Sequence, residues 1–319
     1  MKLIGNIIGS CISTIRMYNA FHNKKYRKEV LSAEIIRNVH SLEKGLCLSN
    51  PKRGWGEGKV TTLIRLMQEY LNEGYPCENT VIYMGCCAAE EYFEYHNKCH
   101  YTSDNLSHQC ELLTALKKQY KIFPKEQYGG TLAFDGGEYF SSPSEASLLS
   151  VLNNRHSIRA FSSEPINIDV LNEAIRLACK CPSACNRQTT RVYVAGKDKI
   201  ASLKNFLSGI GGFVDSVDKF LIITGKMSSF NDGEICQHIV NASIFTAYLS
   251  LTLTANNIGS CVVQRPLLYS RQWRRFAKAN NIPDDENLVC MMAIGNYLKS
   301  DFKVPVSYRF PIEHIVKIL

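Results

Sequence analysis

The sequence lacks the features of a membrane-spanning, fibrous or disordered chain. Its fairly apolar stretch from Leu3 to Ile15 is broken by Asn6, Ser10, Ser13 and Thr14 and is too short to span a bilayer. There is no internal repeat and no low-complexity tract, which sets aside collagen-like and disordered classes. No Gly-x-Ser-x-Gly elbow is present, so the simplest sign of a serine nucleophile is missing. Basic residues are scattered and do not alternate with aromatics, and Lys+Arg 37 against Asp+Glu 29 gives a net charge of +8. That excess suits an anionic small molecule, and no nucleic-acid partner is expected.

What is present is ordinary for a globular protein: 45% hydrophobic and 21% charged residues over 319 positions. That length fits about two domains. The thirteen cysteines form no CxxC…CxxC pair. They read as reduced thiols acting as small buried hydrophobes, which points to the cytoplasm. Cys99, His100, His108 and Cys110 are the sharpest zinc candidates. Adjacent ligands rarely reach one tetrahedral ion, however, and the spacing matches no standard finger, so no metal is expected. Lys2 precedes the Leu3–Ile15 stretch, and Lys24, Lys25, Arg27 and Lys28 follow it. No small-residue cleavage site lies before that cluster. The stretch is read as a helix packed on the protein, with contact to a membrane surface as the second reading.

Periodicity divides the chain in two. Val30, Leu31, Ile35, Val39, Leu42 and Leu46 recur at helical steps, as do positions in Val60–Tyr70 and Asn79–Tyr95. The region from Phe123 to Ser144 is rich in Pro, Gly, Ser and Tyr and reads as a linker. We therefore expect a helical extension over 1–143 and a second domain over 144–319. In the second half, Glu145–Asn154 is a short helical lead-in and Asp169–Cys181 an amphipathic helix ended by Pro182. Arg191–Ala195, Phe220–Thr224 and Val289–Gly295 are strand candidates. Ile235–Asn256 is apolar nearly all round and should be a buried helix. The expected fold class is α+β, with helices layered on a mixed or antiparallel sheet.

Four segments carry candidate chemistry. Arg155-His156-Ser157-Ile158-Arg159-Ala160-Phe161 places two guanidiniums, an imidazole and a hydroxyl together, a set suited to phosphate or simply a solvated basic turn. Cys181-Pro182-Ser183-Ala184-Cys185-Asn186-Arg187-Gln188 offers paired amide donors and acceptors for a heterocycle edge, or an ordinary loop after a helix. Asn257-Ile258-Gly259-Ser260-Cys261 follows the long helix, where glycine allows close backbone approach or merely caps the helix. Pro305-Val306-Ser307-Tyr308-Arg309-Phe310-Pro311 holds a second phosphate anchor or a surface charge.

In this order and spacing the four segments resemble the FMN-dependent nitroreductase family. Arg155, Ser157, Arg159 and Phe161 match its Arg-x-Ser-x-Arg-x-Phe start. Pro182, Ser183, Asn186 and Gln188 match its Pro-Ser-x-x-Asn-x-Gln loop. Gly259, Ser260 and Cys261 match its Gly-Ser-Cys turn, and Pro305, Arg309 and Pro311 its closing segment. The resemblance covers about Leu149 to Leu319. It implies a nitroreductase-like layered fold, a homodimer with exchanged C-terminal strands, and FMN at the interface with NAD(P)H as hydride donor. Arg155 and Arg309 would hold the phosphate, with His156 and Ser157 beside it. Arg159 would approach the pyrimidine edge. The loop with Pro182, Ser183, Ala184, Asn186 and Gln188 would reach the partner's flavin, and backbone at Gly259 and Ser260 would face its reactive nitrogen. No catalytic side chain is implied, since the flavin carries the chemistry.

The sequence also departs from the family. Thr189-Thr190 replaces Pro-Trp, Gly209-Ile210-Gly211-Gly212 replaces a polar contact, and Ser307 stands where a basic residue is common. The helical half carries its own cluster, His40, Glu43 and Lys44, on one helix face. It is read as a proton-transfer pair or as a surface pair with Gly45 as cap. With Pro51-Lys52-Arg53-Gly54-Trp55-Gly56 it is similar to helical extensions on nitroreductase-like proteins associated with surface-polysaccharide biosynthesis. The expected function is an FMN-dependent NAD(P)H oxidoreductase acting on a small-molecule acceptor. The alternative is a nitroreductase fold whose flavin site has degenerated into a binding or scaffold partner.

Overall fold

The computed structural model describes residues 11, 24, 27–134, 136, 145–204, 207, 209–230, 234, 236–264 and 271–319. The expected boundary at 143/144 and most of Leu3–Ile15 lie outside them. Two compact units are present. One holds the described residues of Asp135–Phe302; the other holds those of Ile8–Phe134 together with Lys303–Leu319. The last segment of the chain thus groups with the helical unit.

The helical unit contains α1 (Arg27–Leu46), α2 (Glu57–Asn72), α3 (Thr80–Lys98), α4 (Asp104–Tyr120) and the short strand β1 (Thr131–Phe134). The α1 positions at helical spacing, Leu31, Ile35, Val39, Leu42 and Leu46, are all buried. Asn79 caps α3 by accepting from the Val81 N–H at 2.9 Å, and Ser103 caps α4 through the Leu106 N–H at 3.0 Å. Each such cap contributes about 1 kcal/mol. The 51–56 loop is fastened by tyrosines: Tyr95 donates to the Pro51 carbonyl at 2.7 Å and Tyr92 to that of Trp55.

Gly45 is not a cap. It lies inside α1, where a Cβ would come 2.1 Å from the Trp55 ring. Nor is Glu43 a surface residue: it is 3% exposed and accepts from the Gly130 N–H at 3.2 Å.

The second unit contains α5 (Leu148–Asn154), α6 (Ile168–Ala178), β2 (Thr190–Ala195), α7 (Lys197–Lys204), β3 (Lys219–Lys226), α8 (Gln237–Ala255), β4 (Ile258–Val263), α9 (Arg271–Ala279) and β5 (Glu286–Asn296). An antiparallel sheet runs in the order β2-β3-β5-β4, so the class is α+β. The central strand β3 buries its whole interior, Phe220 to Gly225, which is why it reads as an unbroken apolar run. Leu171, Ala174 and Ala178 of α6 join Ala242, Phe245, Leu249 and Leu253 of α8 in the core against the sheet. A final strand, β6 (Phe302–Pro305), pairs with β1 of the helical unit.

Three expectations are corrected. Helix α6 stops at Ala178, before Pro182, with Cys179 as its cap. Helix α8 is not buried all round, since Val240 and Tyr248 are 46% and 41% exposed. Gly259, Ser260 and Cys261 form no turn: they lie in β4, paired with β5. Among the described residues, Cys99, His100, His108 and Cys110 belong to no group able to hold a metal, and no helix is long and apolar enough to cross a membrane.

Candidate functional site

The first cluster is built where the chain leaves α5. Arg155 caps that helix. The chain then runs beside β4: Ser157 bridges Ser260 in parallel, the Ile158 N–H donates to the Ser260 carbonyl at 2.9 Å, and Phe161 bridges Tyr297. Two glycines make this approach feasible. A Cβ on Gly259 would sit 3.2 Å from Ile158, and one on Gly295 would sit 2.7 Å from the Phe161 ring. Arg155, His156 and Ser157 are half-buried. Arg159 is only 5% exposed. Its one hydrogen bond given by the described residues runs from a guanidinium nitrogen to the Ser157 carbonyl at 3.3 Å, and its Nε has no partner among them. A buried cation costs several kcal/mol unless an anion matches it, and Arg159 has no ion pair among the described residues, so this guanidinium suits an electron-rich ligand edge.

The second cluster is the loop after α6. Cys185, Asn186 and Gln188 hold left-handed φ values of 52°, 53° and 49°, conformations that cost non-glycine residues about 1–3 kcal/mol each and gather at functional sites. The loop is held from several sides. Asn241, 3% exposed on α8, accepts from the Ala184 N–H at 3.1 Å and donates to the Thr189 hydroxyl at 3.3 Å. Ser183 accepts from the Gln188 N–H at 3.1 Å, and the Gln188 amide reaches Asn186 Oδ1 at 3.3 Å. Arg187 pairs with Glu234 at 2.8 Å and lies 5.1 Å from the Phe230 ring centre. The departure at Thr189 therefore has a structural role, because Thr189 is buried and answers Asn241. Asn241 is the residue sequence reasoning missed. Its signal was an amide one turn after Gln237, at the head of the apolar stretch of α8.

Within one chain the two clusters lie far apart. Asn241 is near the start of α8 and Ser260 follows its end; fourteen residues from Asn241 to Ala255 at 1.5 Å each give ~21 Å. Strand β5 gives the same answer: Thr190 pairs with Gly225, which pairs with Asn287, while Ser260 pairs with Ile294, a run of ~24 Å at strand spacing. Ser307 and Arg309 lie in the other unit. Ser307 is left-handed with φ 49°, and the exposed Arg309 donates to its carbonyl. Gly209 is also left-handed, and a Cβ on Gly211 would meet open space.

Titratable groups near the sheet are shifted by burial. His238, on the first turn of α8, is pushed down. Tyr193 is pushed up to about 12, first by burial and then by its hydrogen bond to Glu286. That carboxylate is buried and accepts from Tyr193 at 2.8 Å and Thr224 at 2.5 Å.

Residues 152–210 match the family model described as Nitroreductase family. No curated protein matches the chain. Among solved structures, a protein assigned as an NAD(P)H:FMN oxidoreductase from Staphylococcus epidermidis is 19% identical, with 54% of this chain and 96% of that one covered and a TM-score of 0.47. A protein assigned as a nitroreductase, in complex with FMN, from Desulfovibrio desulfuricans is 17% identical over 54% and 96%, with a TM-score of 0.45. An FMN-dependent nitroreductase from Clostridium difficile is 21% identical over 52% and 94%, with a TM-score of 0.42.

Proposed function

We propose that the unit whose residues 152–210 match the nitroreductase family binds FMN between two copies of this chain. In this reading the protein is an NAD(P)H-dependent oxidoreductase. The observation that carries the reading is Arg159, a buried guanidinium whose Nε has no partner among the described residues, on a segment running beside β4. The pyrimidine edge of an isoalloxazine presents the carbonyl and nitrogen acceptors such a donor lacks. FMN held there would supply hydride-transfer chemistry between NAD(P)H and an acceptor.

The chain's own residues would do the rest. Arg155, His156 and Ser157 would hold the phosphate and ribityl chain, a role the resemblance also gives to Arg309. Arg159 would bind the ring edge and stabilise negative charge there. The Ser183–Gln188 loop, ~21 Å away within one protomer by the helical rise, would serve the flavin of a second copy. That copy would also cover Val240 and Tyr248, exposed on α8, and receive the exposed apolar residues Ile315, Val316, Ile318 and Leu319. The acceptor we carry forward is a small molecule. A sugar-linked compound of surface-polysaccharide assembly is the case suggested by residues 40–56. We place the protein in the cytoplasm, in keeping with its thirteen free cysteines.

The test is to purify the protein without added cofactor, record its visible absorbance, and identify any flavin released on denaturation. FMN near one per chain, bleached by NADH or NADPH and lost in an Arg155→Ala/Arg309→Ala double variant, is expected. A colourless protein that also refuses added FMN would overturn the reading and leave the scaffold alternative.

A further inference from the structure

A cavity of about 170 Å³ opens beneath the strained loop, and two cysteines, Cys179 and Cys181, are among the residues that line it. Residues two apart on a regular helix point to opposite sides. Here the helix ends between them. Cys179 caps α6; the Lys180 N–H then donates to Leu177 at 3.1 Å and that of Cys181 to Ala178 at 3.0 Å, a tighter turn than α. At that turn both residues reach the same cavity. Helical geometry puts Cα atoms two residues apart at ~5.4 Å, inside the range of about 4.4–6.8 Å that a disulfide spans, and closure requires the backbone after Cys179 to turn until the two Cβ atoms are about 3.5–4.5 Å apart.

We propose that Cys179 and Cys181 form a redox-active dithiol that closes to an intramolecular disulfide by exchange with a small disulfide of the glutathione class. The two thiols differ in the way such a pair requires. Cys179 is exposed and open to attack on an incoming disulfide, whereas Cys181 is half-buried against the core. Burial, and next the neighbouring Cys179, push the Cys181 thiol up, which keeps it protonated until a mixed disulfide forms beside it. The Cys179 thiolate attacks one sulfur of the small disulfide, forming a protein–small-molecule S–S bond and expelling one small thiolate. The Cys181 sulfur gives up its proton to solvent and attacks the Cys179 sulfur, expelling the second small thiolate. The protein loses two electrons and two protons, and the small disulfide becomes two thiols.

Cys185 lies only four residues from Cys181 but does not line the cavity. Its sulfur faces the Arg187 guanidinium at 3.7 Å. Closure would tighten the neck from which Ser183, Gln188 and the rest of the loop emerge. That consequence, though not the disulfide itself, rests on the flavin reading.

The sequence supplies a clean assay, because Lys180 separates the pair and trypsin cuts there. The full-length protein is equilibrated across a series of reduced and oxidised glutathione ratios, alkylated, and mapped without reduction. Peptides 177–180 and 181–187 should stay linked under oxidising ratios and separate under reducing ones, including in a Cys185→Ser variant. Cys179→Ser should lose the link, and Cys181→Ser should instead keep glutathione attached at Cys179. Full alkylation of both thiols at every ratio would overturn the proposal, and so would loss of the link in Cys185→Ser. Because peptides are read and not turnover, failure of the flavin reading leaves this result standing, and the reverse also holds.

Discussion

Replacing Arg159 by Met should move apo stability and cofactor affinity in opposite directions. Methionine keeps an unbranched apolar stem of similar reach and removes the charge. In the chain without ligand, Arg159 is 5% exposed with its Nε unpartnered among the described residues. The desolvation penalty of a buried ion is several kcal/mol, so removing this poorly compensated charge is expected to stabilise the chain. For a unit of this size about 2 kcal/mol corresponds to a rise of roughly 4–8 °C in Tm. With FMN bound, the same change removes a charge-assisted hydrogen bond of about 1.5–3 kcal/mol, which is roughly a 10- to 150-fold weaker Kd. The assay pairs thermal melts with and without FMN with a spectral titration of the flavin. A variant that melts lower without ligand, yet binds FMN as tightly as the parent, would show that the guanidinium serves packing and not the ligand.

Three further outcomes are expected. Gly45→Ala should lower the melting point of the helical unit by the equivalent of about 1–3 kcal/mol through overpacking, because the new methyl meets the Trp55 ring; circular dichroism on heating reads this. Asn241→Ala should strand the Ala184 N–H at a cost of about 1–3 kcal/mol and raise protease cutting within 182–188. For alkaline pH, Tyr193 has its folded pKa pushed up to about 12 from 10.0. The unfolded chain therefore loses that proton first, and the stability Tyr193 contributes is complete below pH 10 and lost as pH rises toward 12. A tyrosinate absorbance titration run beside a melt series would refute this if unfolding stayed flat across that window.

The sequence made the helices and the central strand legible because burial there follows a simple period. Leu31 to Leu46 repeats at helical steps, and Phe220–Thr224 is an unbroken apolar run. Strand β4 was misread because Gly259-Ser260 looks like helix punctuation, while its strand role depends on pairing with β5, some thirty residues on. Strands β1 and β6 span four residues each, too few to show a period. The burial of Glu43 depends on Gly130, distant in sequence, so local pattern could not reveal it. The candidate site was legible as residue types in order. Its division into two clusters came only from the resemblance, which sends the Pro182–Gln188 loop to the partner's flavin; no local pattern shows it, because the separation follows from the length of α8 and the antiparallel return of β4.

The pairing of β1 with β6 has a consequence for how the molecule is made. The helical unit is interrupted by the whole of the second unit and resumes at Lys303, where Lys303 pairs with Glu91, Val306 bonds back to Gly130 and Tyr308 reaches Glu126. About 170 residues separate the two strands, and at ~5–20 residues per second synthesis needs about 10–30 s to cross that interval. During it the edge of β1 has no mate. The half that emerged first therefore waits for its final strand until the whole of the second unit has been made.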